Sequence, residues 1–368
     1  MNKVLFIAST GRHITNFHIP YIQRFRDMGW QVDVACGGDS RIDEADHTLL
    51  LPFVKRMFSP SNFRAMLILR GHLRKQNYNL MLCHTSLAAF FARLAVFGLR
   101  KRPAVCNMVH GYLFDDNSSA IKKTVLTAAE KFTAPVTDLI ICMNEYDKRF
   151  AEQKKLAKRV EFIPGIGLNT DKYPEKNNEH RECVRKKLGF GDTDFVLLYA
   201  AEFSPRKSQH VLIDAMQYLP DNIKLVLPGS GELLEQCKSQ VSACGIKDRV
   251  VFPGHVNEMG QWYRAADAAV SSSRSEGLPF NILEAMYYSL PLVASRVKGH
   301  TDLISERETG LLYEYGDSAA CAERILEIAG NKDLREQMGR NAKQKVAKYC
   351  LENVEGEVMR LYFSCLKN

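Results

Sequence analysis

The chain reads as an α/β protein: two consecutive doubly wound domains, each on a parallel sheet, with a cleft between them. Three observations carry that reading. Short apolar runs alternate with longer amphipathic segments, the pattern of parallel βαβ units. A polar stretch near the middle breaks the alternation, which then restarts. The length, 368 residues, is chain enough for about two domains of roughly 150 residues each.

Taken in order, Val4–Ser9 reads as a strand. Its apolar run is too short for a secretory h-region and meets Thr10-Gly11 instead of a small-residue cleavage site. Asn16–Met28 reads as a helix ended by Gly29, and Val32–Cys36 as the next strand. Leu80–Cys83, Ala104–Val109 and Leu139–Met143 repeat the strand signal, with amphipathic segments at 60–76, 86–98 and 119–133 between them. Asp171–Arg185 is polar and lacks core periodicity, so the linker falls there or just before it. Phe195–Ala200, Lys224–Leu227, Val250–Phe252, Ala268–Ser271, Leu292–Ala294 and Gly310–Leu312 are the later strands. Gln209–Tyr218, Glu232–Cys244 and Leu334–Tyr349 read as helices.

Composition narrows the class. At 46% hydrophobic and 25% charged, the chain is too apolar for a disordered protein. Its longest apolar stretch, Leu87–Leu99, is interrupted by Arg93 and falls short of the roughly 20 residues a bilayer span needs. We therefore expect a cytoplasmic protein. The ten cysteines include no Cys-x-x-Cys pair and no zinc-ligand spacing, which favours reduced core thiols. The formal charge of +8 is uneven: Lys55–Arg102 holds ten basic residues and no acid. Met57-Phe58 and Ala89-Phe90-Phe91 lie in the same window and look exposed. Basic and bulky apolar residues interleaved suit an anionic membrane surface, where each Lys or Arg is worth roughly 1 kcal/mol. A solvated face is the simpler alternative. No helix-turn-helix, zinc-finger or RNP pattern supports nucleic acid as a partner.

In open α/β sheets ligands bind beyond the carboxyl ends of the strands. The loops to inspect are Thr10–Asn16, His110–Asn117, Glu202–Ser208, Pro228–Glu232 and Ser272–Asn281. The last carries the strongest signal. A strand ends in serines, Glu276-Gly277-Leu278 turns, and Pro279 stands where a helix begins, at its favoured N1 position. The N–H groups of Phe280, Asn281 and Ile282 then form a first-turn anion site, with the helix dipole behind them. Glu276 precedes that site and Glu284 lies about one turn inside the helix. An ionised carboxylate only accepts hydrogen bonds. Two such acceptors flanking a phosphate cradle suit a sugar nucleotide, one for sugar hydroxyls and one for ribose hydroxyls.

Glu276 and Glu284 stand in a Glu-x7-Glu pattern, within Glu276-Gly277-Leu278-Pro279, Leu283-Glu284-Ala285-Met286 and Leu290-Pro291-Leu292-Val293-Ala294-Ser295. With these motifs the chain resembles the family-four retaining glycosyltransferases of GT-B fold. His18-Ile19-Pro20-Tyr21-Ile22 and Lys298-Gly299-His300-Thr301-Asp302-Leu303 resemble the branch that assembles capsular and exopolysaccharide repeat units. The resemblance implies two Rossmann-like domains facing across a cleft: an acceptor-binding domain, 1–172, and a nucleotide-sugar domain, 173–345. A C-terminal helix, 346–368, would pack back on the first. It implies that Glu276 contacts the transferred sugar, Glu284 the ribose, and the Leu278–Ile282 backbone the diphosphate and sugar, with Gly277 also among the donor-binding residues. Lys207, in Ser204-Pro205-Arg206-Lys207-Ser208, would neutralise the leaving diphosphate, and His110 would lie near the donor sugar.

The family's usual Gly-Arg pair reads Ala201-Glu202 here, so Arg206 is the candidate for the missing charge. Ser289 stands where a Gly commonly precedes Leu-Pro; a small hydroxyl suggests little consequence. Gly11 would let backbone approach the diphosphate or acceptor, with Arg12 and His13 as acceptor-phosphate contacts. Asn144 ends a strand and would only position. No cofactor and no metal are required. The implied substrates are a nucleotide sugar, with uracil as the base by family frequency, and a lipid-linked saccharide at the inner membrane face.

Two features are decoys. Asp192-Thr193-Asp194 precedes a strand, the wrong end of a sheet for a metal-binding Asp-x-Asp. Pro228-Gly229-Ser230-Gly231 opens a helix but has Leu234 where a dinucleotide loop needs its third Gly. Both acids come from one loop-helix unit, which argues against a glycoside hydrolase. An epimerase or phosphorylase of the same fold, or a non-catalytic binding module, remain as rivals.

Overall fold

The computed structural model describes all residues except 39–40, 115–117, 174–177 and 368, with the side chains of 178–180 and 367 also outside the description. The chain divides into two compact units, Met1–Ile166 with Val354–Asn368, and Gly167–Asn353.

The first unit holds strands β1 (Lys3–Ala8), β2 (Gln31–Cys36), β3 (His47–Leu50), β4 (Leu80–Cys83), β5 (Ala104–Val109), β6 (Leu139–Cys142) and β7 (Arg159–Phe162). Their order is β3-β2-β1-β4-β5-β6-β7, all parallel. The second unit holds β8 (Phe195–Leu198), β9 (Ile223–Val226), β10 (Val250–Val251), β11 (Ala268–Ser271), β12 (Leu292–Ser295) and β13 (Gly310–Tyr313). Its order, β10-β9-β8-β11-β12-β13, is also all parallel. Each sheet is doubly wound, and the winding reverses between β1 and β4 in one and between β8 and β11 in the other.

Helices cover both faces of such a sheet, so its central strands are apolar throughout. Val4 to Ala8 and Leu80 to Cys83 are fully buried. In the second unit, Leu197, Leu225, Val270 and Val293 pack in one cluster. Val196, Leu198, Val226 and Ala294 pack in another. These are the two faces of one sheet, filled with period two. The edge strands β3 and β7, His-Thr-Leu-Leu and Arg-Val-Glu-Phe, are only part-buried, and their mixed composition hid them in the sequence.

Several expectations are corrected. Asn16–Met28 is not one helix: Gly11–Phe17 and Ile19–Asp27 meet at His18, because Pro20 has no N–H to continue the ladder. Thr10 caps the first helix, accepting from His13 N at 3.3 Å, so Thr10–Asn16 is mostly helix and not loop. The polar stretch contains a helix, Asn178–Lys187, whose Arg181 and Arg185 grip Asp267 at 2.7 and 3.1 Å. Pro174–Asn177 of the expected linker, and 115–117 of the loop after β5, lie outside the described residues. All ten cysteines are free thiols, most of them buried.

The basic window is not uniformly surface. Arg93 is fully buried and makes a bidentate pair with Glu130, both bonds 2.9 Å. Arg102 pairs with Asp138 at 2.6 and 2.8 Å, and Arg70 donates to the carbonyls of Ala95 and Phe97. Ala89 and Phe91, expected on the surface, are core residues, whereas Phe58 is 74% exposed. No helix among the described residues is long and apolar enough to cross a membrane.

Candidate active site

Two loops meet at the carboxyl ends of β8 and β11, at the reversal point of the second sheet. The first runs from Tyr199 to Ser208 and the second from Ser272 to Pro279. Backbone and side-chain bonds stitch them together. Arg274 N donates to Arg206 O at 2.8 Å, Ser272 Oγ to Lys207 O at 3.0 Å, and Tyr199 Oη to Lys207 O at 3.1 Å.

Glu276 lies at the centre and is buried. Lys207 Nζ donates to its Oε1 at 2.6 Å, Ser273 Oγ to the same oxygen at 2.5 Å, and Arg206 Nη1 to Oε2 at 2.7 Å. Burial alone would raise the carboxyl's pKa. The Lys207 and Arg206 charges overcome that and hold it at about 2. Burial lowers the pKa of Lys207, against the opposing pull of Glu276. Lys207 is buried while the Arg206 side chain stays 48% exposed, so the cluster presents one fixed and one solvated cation.

Glu284 sits on the helix Phe280–Tyr287, which follows the second loop. Its Oε1 accepts from Tyr173 Oη at 2.8 Å and its Oε2 from Tyr263 Oη at 2.7 Å. Burial raises its pKa and the two phenols oppose the rise. Each oxygen keeps a lone pair for a further donor. Pro279 is the N-cap and not the first helical residue; the helix starts at Phe280. Ile282 N donates to Pro279 O at 3.1 Å, so this N–H is not an orphan of the first turn as expected. Gly277, Leu278, Phe280 and Asn281 are part-buried at the helix entrance, and Pro279 is buried.

The loop is braced from behind. His300 is buried, with Nδ1 2.8 Å from Ser295 O and Nε2 3.0 Å from Ser271 Oγ. Burial lowers its pKa, so Nδ1 carries the proton toward the carbonyl and Nε2 accepts from the serine. Gly299 has φ +82°, and a Cβ there would stand 2.8 Å from both Glu276 Cβ and Gly277 O. Only glycine lets this turn close on the Glu276 loop. Gly229 and Gly231 answer to the same physics: a Cβ would fall 2.0 Å from Ala201 O or 2.3 Å from Phe203 O. Asp192-Thr193-Asp194 lies before β8, and Asp194 accepts from Gly191 N as a turn residue.

In the first unit, His110 follows β5 and lies among His13, His18 and His84. Its Nε2 is 3.4 Å from His84 Nδ1. The loop is held by Asp147, which accepts from Tyr112 N at 3.0 Å and from Asn144 Nδ2 at 2.8 Å, so Asn144 does position it. Gly11 N donates to Gly37 O at 2.9 Å and is not an available donor for a ligand. Arg12 is exposed and His13 part-buried.

Sequence reading paired Glu276 and Glu284 and named Lys207 and Arg206, and the fold brings Glu276, Lys207 and Arg206 into direct contact. It missed Ser273, Tyr173, Tyr263 and His84. The serine run beside Glu276 was a usable signal for Ser273, and a histidine directly after a strand was the same signal for His84 as for His110. The two tyrosines come from distant elements and had none.

Fold and site together define a two-unit α/β protein with an acid–base ion cluster at a topological switch point. Residues 180–345 match the family model for glycosyl transferases group 1, and residues 21–168 that for glycosyltransferase family 4. EpsD of Bacillus subtilis (strain 168) is 30% identical over 367 residues, 98% of this chain and 96% of that protein. The chain belongs to the family-four glycosyltransferases. The UDP-Gal:alpha-D-GlcNAc-diphosphoundecaprenol alpha-1,3-galactosyltransferase of Escherichia coli is 25% identical over 83% of this chain and 80% of its own. HepE of Anabaena, solved with UDP and glucose, superposes with a TM-score of 0.81 at 19% identity, covering 99% of this chain and all of that one. The fold is GT-B, with two Rossmann-like domains.

Proposed function

We propose that the protein transfers a hexose or N-acetylhexosamine from a nucleotide sugar, with retention, to a lipid-linked saccharide in surface polysaccharide assembly. The Glu276–Lys207–Arg206 cluster at the carboxyl ends of β8 and β11 is the observation that carries the reading. Departure of a nucleoside diphosphate leaves negative charge. Preorganised cations beside it stabilise that charge, usually the largest catalytic contribution. Lys207 is held by Glu276 before any ligand arrives, so no reorganisation is needed at that moment. Arg206 supplies the second cation in place of the arginine absent at Glu202.

In the proposed step the bond from the anomeric carbon to the diphosphate oxygen breaks. The acceptor oxygen bonds on the same face, and its proton passes to the departing phosphate. Glu276 holds the transferred sugar, Glu284 the ribose, and His110 lies near the sugar. The Leu278–Ile282 backbone approaches the diphosphate, while Arg12 and His13 face the acceptor phosphate. UDP is supported by the donor in the Escherichia coli relative's name and by the ligand bound to HepE.

The lipid-linked acceptor is supported by the same relative and by the helix Pro60–Lys75. That helix exposes Phe63, Leu67 and Ile68 beside Arg64, Arg74 and Lys75. We place the protein on an anionic membrane surface through this face, on the inner side of the cell membrane.

A thermal-shift panel of UDP, GDP and ADP with their sugar conjugates tests the donor. A ligand at about 100 times its dissociation constant adds roughly 2.7 kcal/mol. UDP and one UDP-sugar should raise the melting temperature. A panel in which no nucleotide does so would sink the reading.

A further inference from the structure

We infer that His300 is a positioning residue for the transfer: through a buried chain of serines it fixes where Glu276 holds its carboxylate. The inference rests on the transfer reading, in which Glu276 holds the donor sugar.

His300 reaches the site from a separate element. It opens the short helix His300–Leu303 after β12, whereas Glu276 lies in the loop after β11. The ring is fully buried, as are Ser271, Ser273 and Ser295. A carbonyl oxygen only accepts, so His300 Nδ1 carries a proton and donates to Ser295 O at 2.8 Å. Ser295 Oγ donates to Ser273 O at 2.5 Å, and Ser273 Oγ to Glu276 Oε1 at 2.5 Å. On the other side of the ring, Ser271 Oγ donates to Nε2 at 3.0 Å, and Tyr313 Oη donates to Ser271 O at 3.1 Å. The chain therefore has one polarity: from Tyr313 to Glu276, each group donates to the next. A buried network satisfied in this way is rigid, and each bond polarises its neighbour.

Tyr199 Oη also meets Ser273 Oγ, at 2.8 Å. The phenol steadies that hydroxyl, while the His300–Ser295 pair holds the Ser273 backbone. The turn before His300 touches Glu276 a second time, since a Cβ on Gly299 would stand 2.8 Å from Glu276 Cβ. One turn thus fixes Glu276 at both ends of its side chain.

The chain works only with a neutral ring, because an imidazolium has no lone pair for Ser271. Burial lowers the His300 pKa, and the Lys207 and Arg206 charges add to this against the pull of Glu276. The hydrogen bonds of His300 go to Ser271 and Ser295, so it acts on Glu276 through them. A misplacement of about 1 Å in such a group can cost roughly a hundredfold in rate.

The test compares the affinity for UDP with that for UDP-galactose and UDP-glucose, by calorimetry, alongside kcat. UDP lacks the sugar that Glu276 holds, so its binding reads the rest of the pocket. His300→Leu removes both hydrogen bonds of the ring. It should bind UDP as wild type does, yet weaken the UDP-sugar and lower kcat by about tenfold or more. His300→Asn, whose Nδ2 can take the place of Nδ1 toward Ser295 O, should recover most of that loss. Ser295→Ala should show the same split between UDP and UDP-sugar, and the His300→Leu and Ser295→Ala losses should combine to less than their product. Equal losses for UDP and UDP-sugar mark a merely structural role and overturn the inference, as do losses that multiply in full. Should His300→Leu not fold, His300→Asn and Ser295→Ala carry the comparison, and wild-type behaviour in Ser295→Ala overturns it. A wild type that binds no UDP-sugar sinks the transfer reading itself. A wild type that binds and transfers, matched by a folded His300→Leu, sinks this inference alone.

Discussion

Glu276 and Lys207 are each other's main electrostatic partner, and their substitutions should show it. Removing one member of a buried pair strands the other and costs roughly 3–5 kcal/mol. Glu276→Gln should therefore lower stability in urea by about 3 kcal/mol, less whatever Arg206 relaxation returns, as well as abolish turnover. Lys207→Met in the same chain should restore part of the stability and none of the activity. The pH dependence follows from the carboxyl's pKa, lowered from 4.5 to about 2. A lowered carboxylate pKa means the folded state binds fewer protons than the unfolded one. This stabilisation is complete above about pH 4.5 and is lost as pH falls toward 2. Ser289 offers a second check. Its size was expected to matter little, but its φ is +58°, a left-handed conformation that strains any residue with a Cβ. Ser289→Gly should raise stability by up to about 1 kcal/mol in the same unfolding assay, after the entropic cost of glycine is subtracted.

At the scale of elements, the helix Phe280–Tyr287 and the loop before it were legible because their signals are local. Serines end a strand, Glu-Gly turns, proline precedes a helix, and two acids recur at a fixed spacing. What holds those acids was not legible. Tyr173 and Tyr263 reach Glu284 from elements 111 and 21 residues away, and no periodicity links them. Tyr263→Phe removes one of the two phenolic donors and should weaken UDP binding by about tenfold, a hydrogen bond to a charged group being worth roughly 1.5–3 kcal/mol. Calorimetry reads it directly. The basic window was misread for a related reason: charge is visible in sequence and burial is not. Arg93 looked like surface charge and is an interior ion pair with Glu130. The exposed face of Pro60–Lys75 keeps the membrane proposal specific. Phe63→Ser with Leu67→Ser should reduce binding to anionic vesicles at least tenfold, since burying each apolar side chain contributes roughly 1.5–3 kcal/mol. Binding that persists in the double variant, or that ignores salt, counts against this face.

At the scale of the molecule, the alternating pattern was enough for two doubly wound sheets, because central parallel strands must be apolar on both faces. It did not reveal β3 and β7, whose half-exposed edges carry His47, Arg159 and Glu161. Nor could it reveal the histidine cluster, since residues 13, 18, 84 and 110 share no spacing until β1, β4 and β5 lie side by side. In both sheets, the residues that matter most converge at the reversal of strand order. That common placement ties the fold to the proposed chemistry, in which the Glu276 cluster receives a nucleotide sugar and transfers its glycosyl group with retention. The most direct measurement is product analysis. Wild-type protein and Glu276→Gln are incubated with an α-configured UDP-sugar and a lipid-diphosphate-linked saccharide, and the product's anomeric configuration is read by NMR. The account predicts one UDP released per enlarged glycan, an α linkage, and no product from the variant. A β linkage, release of free sugar without a larger glycan, or full activity in Glu276→Gln would contradict it.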